Sequence, residues 1–231
     1  PDKKFEKTIF AQFYNGLKTT SNTQFVLRVA AKLCTIDLKG EHATDQGGPY
    51  HEVFSNFCQE LESESLDVFI KTPNNKNDVG LLKDKFMVNP SNKNDLYDNV
   101  YQFIGKLMAS AISSGELLDL NIHPILWKFI LGNEITFDDT ETLDCLFYKM
   151  IKDLEKFVDN PAMESNFDSV FDLNFTFKNA NNDEEELKPN GKEIKVTVAN
   201  LKEFIELSKK AKINESAHQM EMIKEGFNSV I

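Results

Sequence analysis

Apolar residues recur along this chain at two spacings, and the switch between them divides it into regions. Phe25, Val26, Val29, Ala30 and Leu33 share one face of a predicted helix, with Ser21 or Asn22 as its cap. Ile36 and Leu38 alternate like a short strand. Beyond the Gly47-Gly48-Pro49 turn, Val53, Phe54, Phe57 and Leu61 return to helical spacing, and Pro49 near the first turn gives up an N–H that the helix would leave unpaired. Residues 72–80 and 90–96 are rich in turn formers and read as exposed loops around a short Phe86-Met87-Val88 segment. The run from Asn99 to Leu120 is apolar on several sides. It predicts a central buried helix in which Gly105, Ala109 and Ala111 let a neighbour come close. A further helix starts near His123 or Pro124, passes Trp127, and stops at Gly132.

From Asp138 the pattern predicts a strongly amphipathic helix. Leu143, Leu146, Phe147, Met150, Ile151, Leu154, Phe157 and Val158 form its stripe, and Asp138 with Glu141 its capping box. Phe171, Leu173, Phe175 and Phe177 then alternate strictly, as in a strand. An acidic loop at 183–186, a Pro189-Asn190-Gly191 turn and a second strand, Ile194 to Val198, follow. Asn200 with Glu203 opens a helix through Phe204, Ile205 and Leu207, and a last helix runs from about Glu215 to the end. The order of helices and strands implies an α+β, predominantly helical fold, with the period-2 region set apart as a small subdomain.

Composition narrows the function. The 231 residues are 41% apolar and 11% aromatic, enough for a substantial core. Net charge is −11 and Arg28 is the sole arginine, so nucleic acid is not an expected partner. No apolar run approaches a bilayer span, so no membrane role is expected either. Three cysteines, Cys34, Cys58 and Cys145, form neither a disulfide framework nor a zinc pattern, and they point to an intracellular, cytoplasmic or nuclear setting. All three read as structural. The last helical pattern is still apolar at Val230 and Ile231, which suggests a piece of a longer protein.

Candidate chemistry is sparse. The run Gly40 to Phe54 gathers two histidines and several acids, but His42, Asp45 and His51 fit no metal motif, and Gly47-Gly48 lacks the remainder of a phosphate loop. No catalytic residue, metal or cofactor is expected from these residues. One feature exceeds an ordinary core: at least eight large apolar side chains fall between 143 and 177. Either they pack on the main body, or they leave a groove for a partner.

Several segments together resemble the HECT family of ubiquitin ligases, and in particular the amino-terminal lobe of its catalytic domain. Gly40, Glu41, Asp45, Gly47, Gly48, Pro49 and Glu52 match the family's G-E-x-x-x-D-x-G-G-P-x-x-E run. Phe86-Met-Val-Asn-Pro90 is similar to F-x-x-N-P, and Tyr101 to Met108 is similar to its F-x-x-I-G segment. Leu126 to Gly132, Leu187-Lys-Pro-Asn-Gly191, Asn200 with Phe204, and Gly226-Phe-Asn-Ser-Val-Ile231 follow in the family's order. His51 departs from the pattern, standing where the family has arginine or lysine.

The resemblance implies a bilobal HECT N-lobe: residues 1–137 as a large helical subdomain, 138–199 as a small α+β subdomain docking a ubiquitin-conjugating enzyme, and 200–231 returning to the large one. Carried over by motif position, the docking groove comprises Phe147, Met150, Ile151, Leu154 and Phe157 on the helix, Leu173 and Phe175 on the strand, and Phe204. An aromatic side chain of the conjugating enzyme is expected to insert there. No cysteine matches the family's T-C-x-x-x-L-x-L-P run, so the ubiquitin-accepting cysteine is expected in a following lobe. The whole ligase would pass ubiquitin from the conjugating enzyme to that cysteine and on to lysines of protein substrates, whereas this fragment alone would be inactive. Two other readings stand beside this one: a non-catalytic helical scaffold of the same fold, and a thiol hydrolase using Cys58.

Overall fold

The structure is a computed structural model that describes residues 5–27, 31–34, 48–158, 167 and 171–231, the side chain of Pro49 aside. In chain order its elements are α1 (Ile9–Leu17), α2 (Asn22–Phe25), α3 (Gly48–Leu61), β1 (Phe69–Lys71), α4 (Pro73–Asn77), β2 (Phe86–Val88), α5 (Asp95–Ser114), α6 (Ile125–Ile130), α7 (Cys145–Val158), β3 (Thr176–Lys178), β4 (Glu184–Glu186), α8 (Leu201–Asn214) and α9 (Ala217–Asn228). Short 3-10 turns punctuate the chain. Among the described residues the strands form two two-stranded sheets, β1 with β2 and β3 antiparallel to β4. The expected predominantly helical α+β class therefore holds.

Two compact units divide the chain. The first comprises Pro1–Ile70, Phe86–Gly132 and His218–Ile231, and the second Lys71–Lys85 and Asn133–Ala217. These limits differ from the 138–199 boundary read from sequence. Leu201, Phe204 and Ile205 of α8 share one buried cluster with Ile151 and Leu154 of α7, so α8 belongs with α7 in the second unit.

In the first unit, the Phe103 ring of α5 meets Phe10, Phe13, Tyr14 and Phe25 edge-on, and Phe54 and Phe57 of α3 extend the same aromatic core. Edge-to-face rings add stabilisation beyond the area they bury. The Glu60 carboxylate accepts hydrogen bonds from the amides of Ile9 and Phe10 at 3.0 and 2.8 Å, holding the open N-terminus of α1. A Cβ on Gly105 would lie 1.9 Å from the carbonyl oxygen of Ile223, and one on Gly226 1.9 Å from that of Gln102. The α5 and α9 backbones thus touch, and the close approach expected at Gly105 is observed.

Several expected elements came out differently. Of the helix expected over Phe25 to Leu33, the described residues show only Asn22–Phe25; Val26 and Leu27 leave it, Val29 and Ala30 lie outside the described residues, and the Phe25 carbonyl accepts the Ser110 hydroxyl at 2.6 Å. Ser21 sits at its cap position without a side-chain cap bond. Residues 72–80 are not an exposed loop: Thr72 caps α4, and Asn74 is fully buried. The capping box falls on Thr136 and Asp139 of a 3-10 turn, Phe137–Thr142, ahead of α7, rather than on Asp138 and Glu141. Asn200 likewise pairs with Thr197 and not with Glu203. The acidic segment 184–186 is a strand because its backbone pairs with Thr176–Lys178. Phe171 lies outside a strand and its amide donates to the Phe167 carbonyl, and the strand expected from Ile194 to Val198 narrows to a bridge between Asn174 and Lys195. Ile36, Leu38 and Gly40 to Gly47 lie outside the described residues.

Candidate docking surface in the second unit

Asn74 fixes the start of α7. Its amide donates to the carbonyls of Leu81, Glu141 and Thr142, and its carbonyl oxygen accepts from the Cys145 amide at 2.8 Å. One buried asparagine thereby engages four backbone groups, its two N–H hydrogens shared among the three carbonyls. Asp144 continues the anchoring. Its Oδ1 accepts from the Phe147 amide at 3.1 Å, and its Oδ2 lies 2.9 Å from Nζ of Lys212 on α8.

Lys212 is almost wholly buried and also lies 2.9 Å from Glu215, whose other carboxylate oxygen accepts from the Ala180 amide. Burial pulls the Lys212 pKa down, but Glu215 and Asp144 outweigh it and raise the net value. For Glu215, burial dominates and pushes the carboxyl up against the pull of Lys212. The two carboxylates and one ammonium tie α8 to the start of α7 and to the turn after β3.

On this frame all eight residues of the expected groove come together in one side-chain cluster. Their depths differ. Ile151, Leu154, Phe175 and Phe204 are fully or almost fully buried, whereas Phe147, Met150, Phe157 and Leu173 are half-buried around them. Phe175 meets Phe204 edge-on at 5.6 Å, and Phe147 meets Phe177 at 5.6 Å. The backbone of 173–175 is secured from both sides: the Val196 amide donates to the Leu173 carbonyl, and the Phe175 amide and carbonyl bond to Ile194 and Leu187. Gly191 passes so close that a Cβ there would lie 2.2 Å from the Phe175 carbonyl oxygen, so only glycine fits.

Two members of the site were not legible as such. Phe167, with no exposed surface, joins the cluster, its ring tilted against Phe171 at 5.3 Å and edge-on to Phe157 at 5.8 Å. Lys188 places Nζ 3.7 Å from the Phe175 ring centre and 2.7 Å from Glu203. Lys188 falls in the L-x-x-N-G turn already singled out, but its position over an aromatic face depends on the fold.

Burial sets Cys58 and Cys145 apart from a nucleophile's exposed setting. Cys58 is fully buried and its thiol is pushed up to about 12, chiefly by burial, with Glu62 and Asp119 adding and an Asp119 backbone hydrogen bond opposing. A thiol so rarely ionised at neutral pH is a poor nucleophile. Cys145 is buried beside Gly80. His51 faces Glu116 at 3.3 Å, His42 and Asp45 lie outside the described residues, and among the described residues no three metal-ligating side chains gather. No described helix is long and apolar enough to cross a membrane.

The profile of the HECT-domain (ubiquitin-transferase) family matches residues 55–231. The chain belongs to the HECT family. Among curated proteins it is 27% identical over 225 residues, 97% of its length, to the E3 ubiquitin-protein ligase HERC2 of Mus musculus, and 26% identical over 230 residues to the E3 ubiquitin-protein ligase UPL1 of Arabidopsis thaliana. A match of 33% over 135 residues, 58% of the chain, is found with the E3 ubiquitin-protein ligase RSP5 of Chaetomium thermophilum. The chain spans only 4%, 6% and 16% of those three proteins.

Proposed function

We propose that this HECT chain is the amino-terminal lobe of a ubiquitin ligase, and that its second unit recruits a ubiquitin-charged conjugating enzyme. Ubiquitin then passes to a cysteine in a carboxyl-terminal lobe and from there to lysines of the ligase's protein substrates. The observation that carries the reading is the convergence in one cluster of the eight residues assigned by motif position. Met150, Phe147, Phe157 and Leu173 offer the partly exposed contact surface, and Ile151, Leu154, Phe175 and Phe204 support it from below. A conjugating enzyme would anchor one aromatic side chain among them, as hot-spot residues do in desolvated pockets.

The test uses the half-buried residues, because truncating the buried ones disturbs folding first. Calorimetric titration of a panel of conjugating enzymes should give binding to the wild type that Leu173→Ala and Met150→Ala each weaken by more than ~1 kcal/mol. Binding that both variants leave unchanged would move the site elsewhere. The full burial of Ile151, Leu154, Phe175 and Phe204 favours a second reading, a non-catalytic scaffold of the same fold. No binding by any member of the panel, to wild type or variants, would select it.

A further inference from the structure

A groove awaiting an aromatic anchor should be open, yet in this chain its floor is covered. Phe175 and Leu154 have no exposed surface, and Phe204 retains only 3%. The covering groups belong to the chain itself. Phe167 is packed into the cluster with Ile151, Leu154, Phe175 and Phe204, and its ring is flanked by Phe157 and Phe171. Lys188 places its ammonium 3.7 Å from the Phe175 ring centre, where the negative face of the π-system attracts a cation, and Glu203 at 2.7 Å holds it there. Lys188 is only 24% exposed, so its alkyl stem also excludes water from the aromatic ring.

We infer that the aromatic-anchor pocket is closed in the free chain by two of its own side chains, Phe167 and Lys188, which an incoming aromatic must displace. The inference rests on the docking role proposed above. Phe167 already supplies the kind of ring the pocket would receive, so the chain competes with its partner for one site. Lys188 adds an electrostatic hold that salt weakens, because its pair with Glu203 is partly exposed. If the open form is a minority of about 10%, the apparent affinity falls by that fraction, and removing the closing group restores up to ~tenfold.

The experiment titrates a panel of ubiquitin-conjugating enzymes into the wild-type chain, Lys188→Ala and Phe167→Leu, with thermal unfolding recorded for each. Lys188→Ala removes a partly exposed side chain and should stay folded, and Phe167→Leu keeps an apolar group while removing the ring. The expected result is binding at least roughly threefold tighter in one or both variants than in the wild type. Binding by the variants where the wild type shows none supports the closure equally. Wild-type binding that neither variant tightens overturns the closure and leaves the docking role intact. Absence of binding in all three proteins removes the docking role, and the closure with it.

Discussion

The two units fill their interiors in different ways. In the first, α5 and α9 meet backbone to backbone at Gly105 and Gly226, and several buried side chains bond to backbone carbonyls. The Tyr101 hydroxyl donates to the Val68 carbonyl at 3.0 Å, and the Gln219 amide donates to the carbonyls of Pro90 and Asn92. In the second, buried aromatics are ringed by half-buried ones, and a lysine with two acids closes the base. A backbone contact leaves no room for change, whereas a rim of half-buried rings can repack at modest cost. On the proposed reading, the half-buried rim of the second unit is the surface that a partner would meet.

The harshest break of this contrast is Gly105→Ala. Its Cβ would meet a backbone carbonyl, so overpacking should cost about 3 kcal/mol or more and lower the melting temperature of the first unit sharply. Lys212→Met attacks the base of the second unit and should cost about 3–5 kcal/mol at neutral pH, because Asp144 and Glu215 are left buried without a counter-charge. The sign with pH is distinctive. Without Lys212 the Glu215 carboxyl rises further above its unfolded value, so the folded state binds the proton more tightly. Stability is then fully present below the unfolded pKa and is lost as pH rises through the folded one. Chemical denaturation should show the penalty shrinking on acidification, and a penalty independent of pH would argue against a charge origin.

Tyr101→Phe should cost roughly 1–2 kcal/mol in the same assay, since the Val68 carbonyl and the Asn92 amide lose a buried partner. The smallest effect is expected at Glu155, where the Lys209 hydrogen bond, opposed by some burial and aided by the charges of Lys209 and Lys152, holds the carboxyl below its usual range. Its stabilisation is present above the unfolded pKa and lost as pH falls through the folded one. Glu155→Gln should therefore flatten the acid limb of the stability curve and change neutral stability by less than about 1 kcal/mol, as partly exposed pairs do.

The sequence showed the long helices and the family well, because both depend on local periodicity and ordered short motifs. The central helix expected over Asn99 to Leu120 is present as Asp95–Ser114, starting earlier and stopping sooner, where Gly115 takes a positive φ of 78°, and the Asn190-Gly191 turn lay where it was expected. It missed what tertiary partners decide. Nothing local marks Asn74 as a buried hub, or the Phe25 carbonyl as bound to Ser110. Lys212 and Asp144 are far apart in the chain and meet only in the fold. The acids of β4 look like a loop by composition, yet backbone pairing overrides that preference. For the candidate site, membership was legible from the motifs, but depth was not. Periodicity assigned Ile151 and Met150 to one stripe without telling which of the two would be buried.

The most direct test of the recruiting role is a methyl-resonance titration of the chain, with methionine and leucine methyls labelled and a conjugating enzyme added. The account predicts that the Met150 and Leu173 signals shift first and most. Methyls of the first unit's apolar recess, a cavity of about 190 Å³ lined by Met108, Leu118 and Leu120 among others, should hold still. Shifts centred on Met108 and Leu118, with Met150 and Leu173 unmoved, would contradict it.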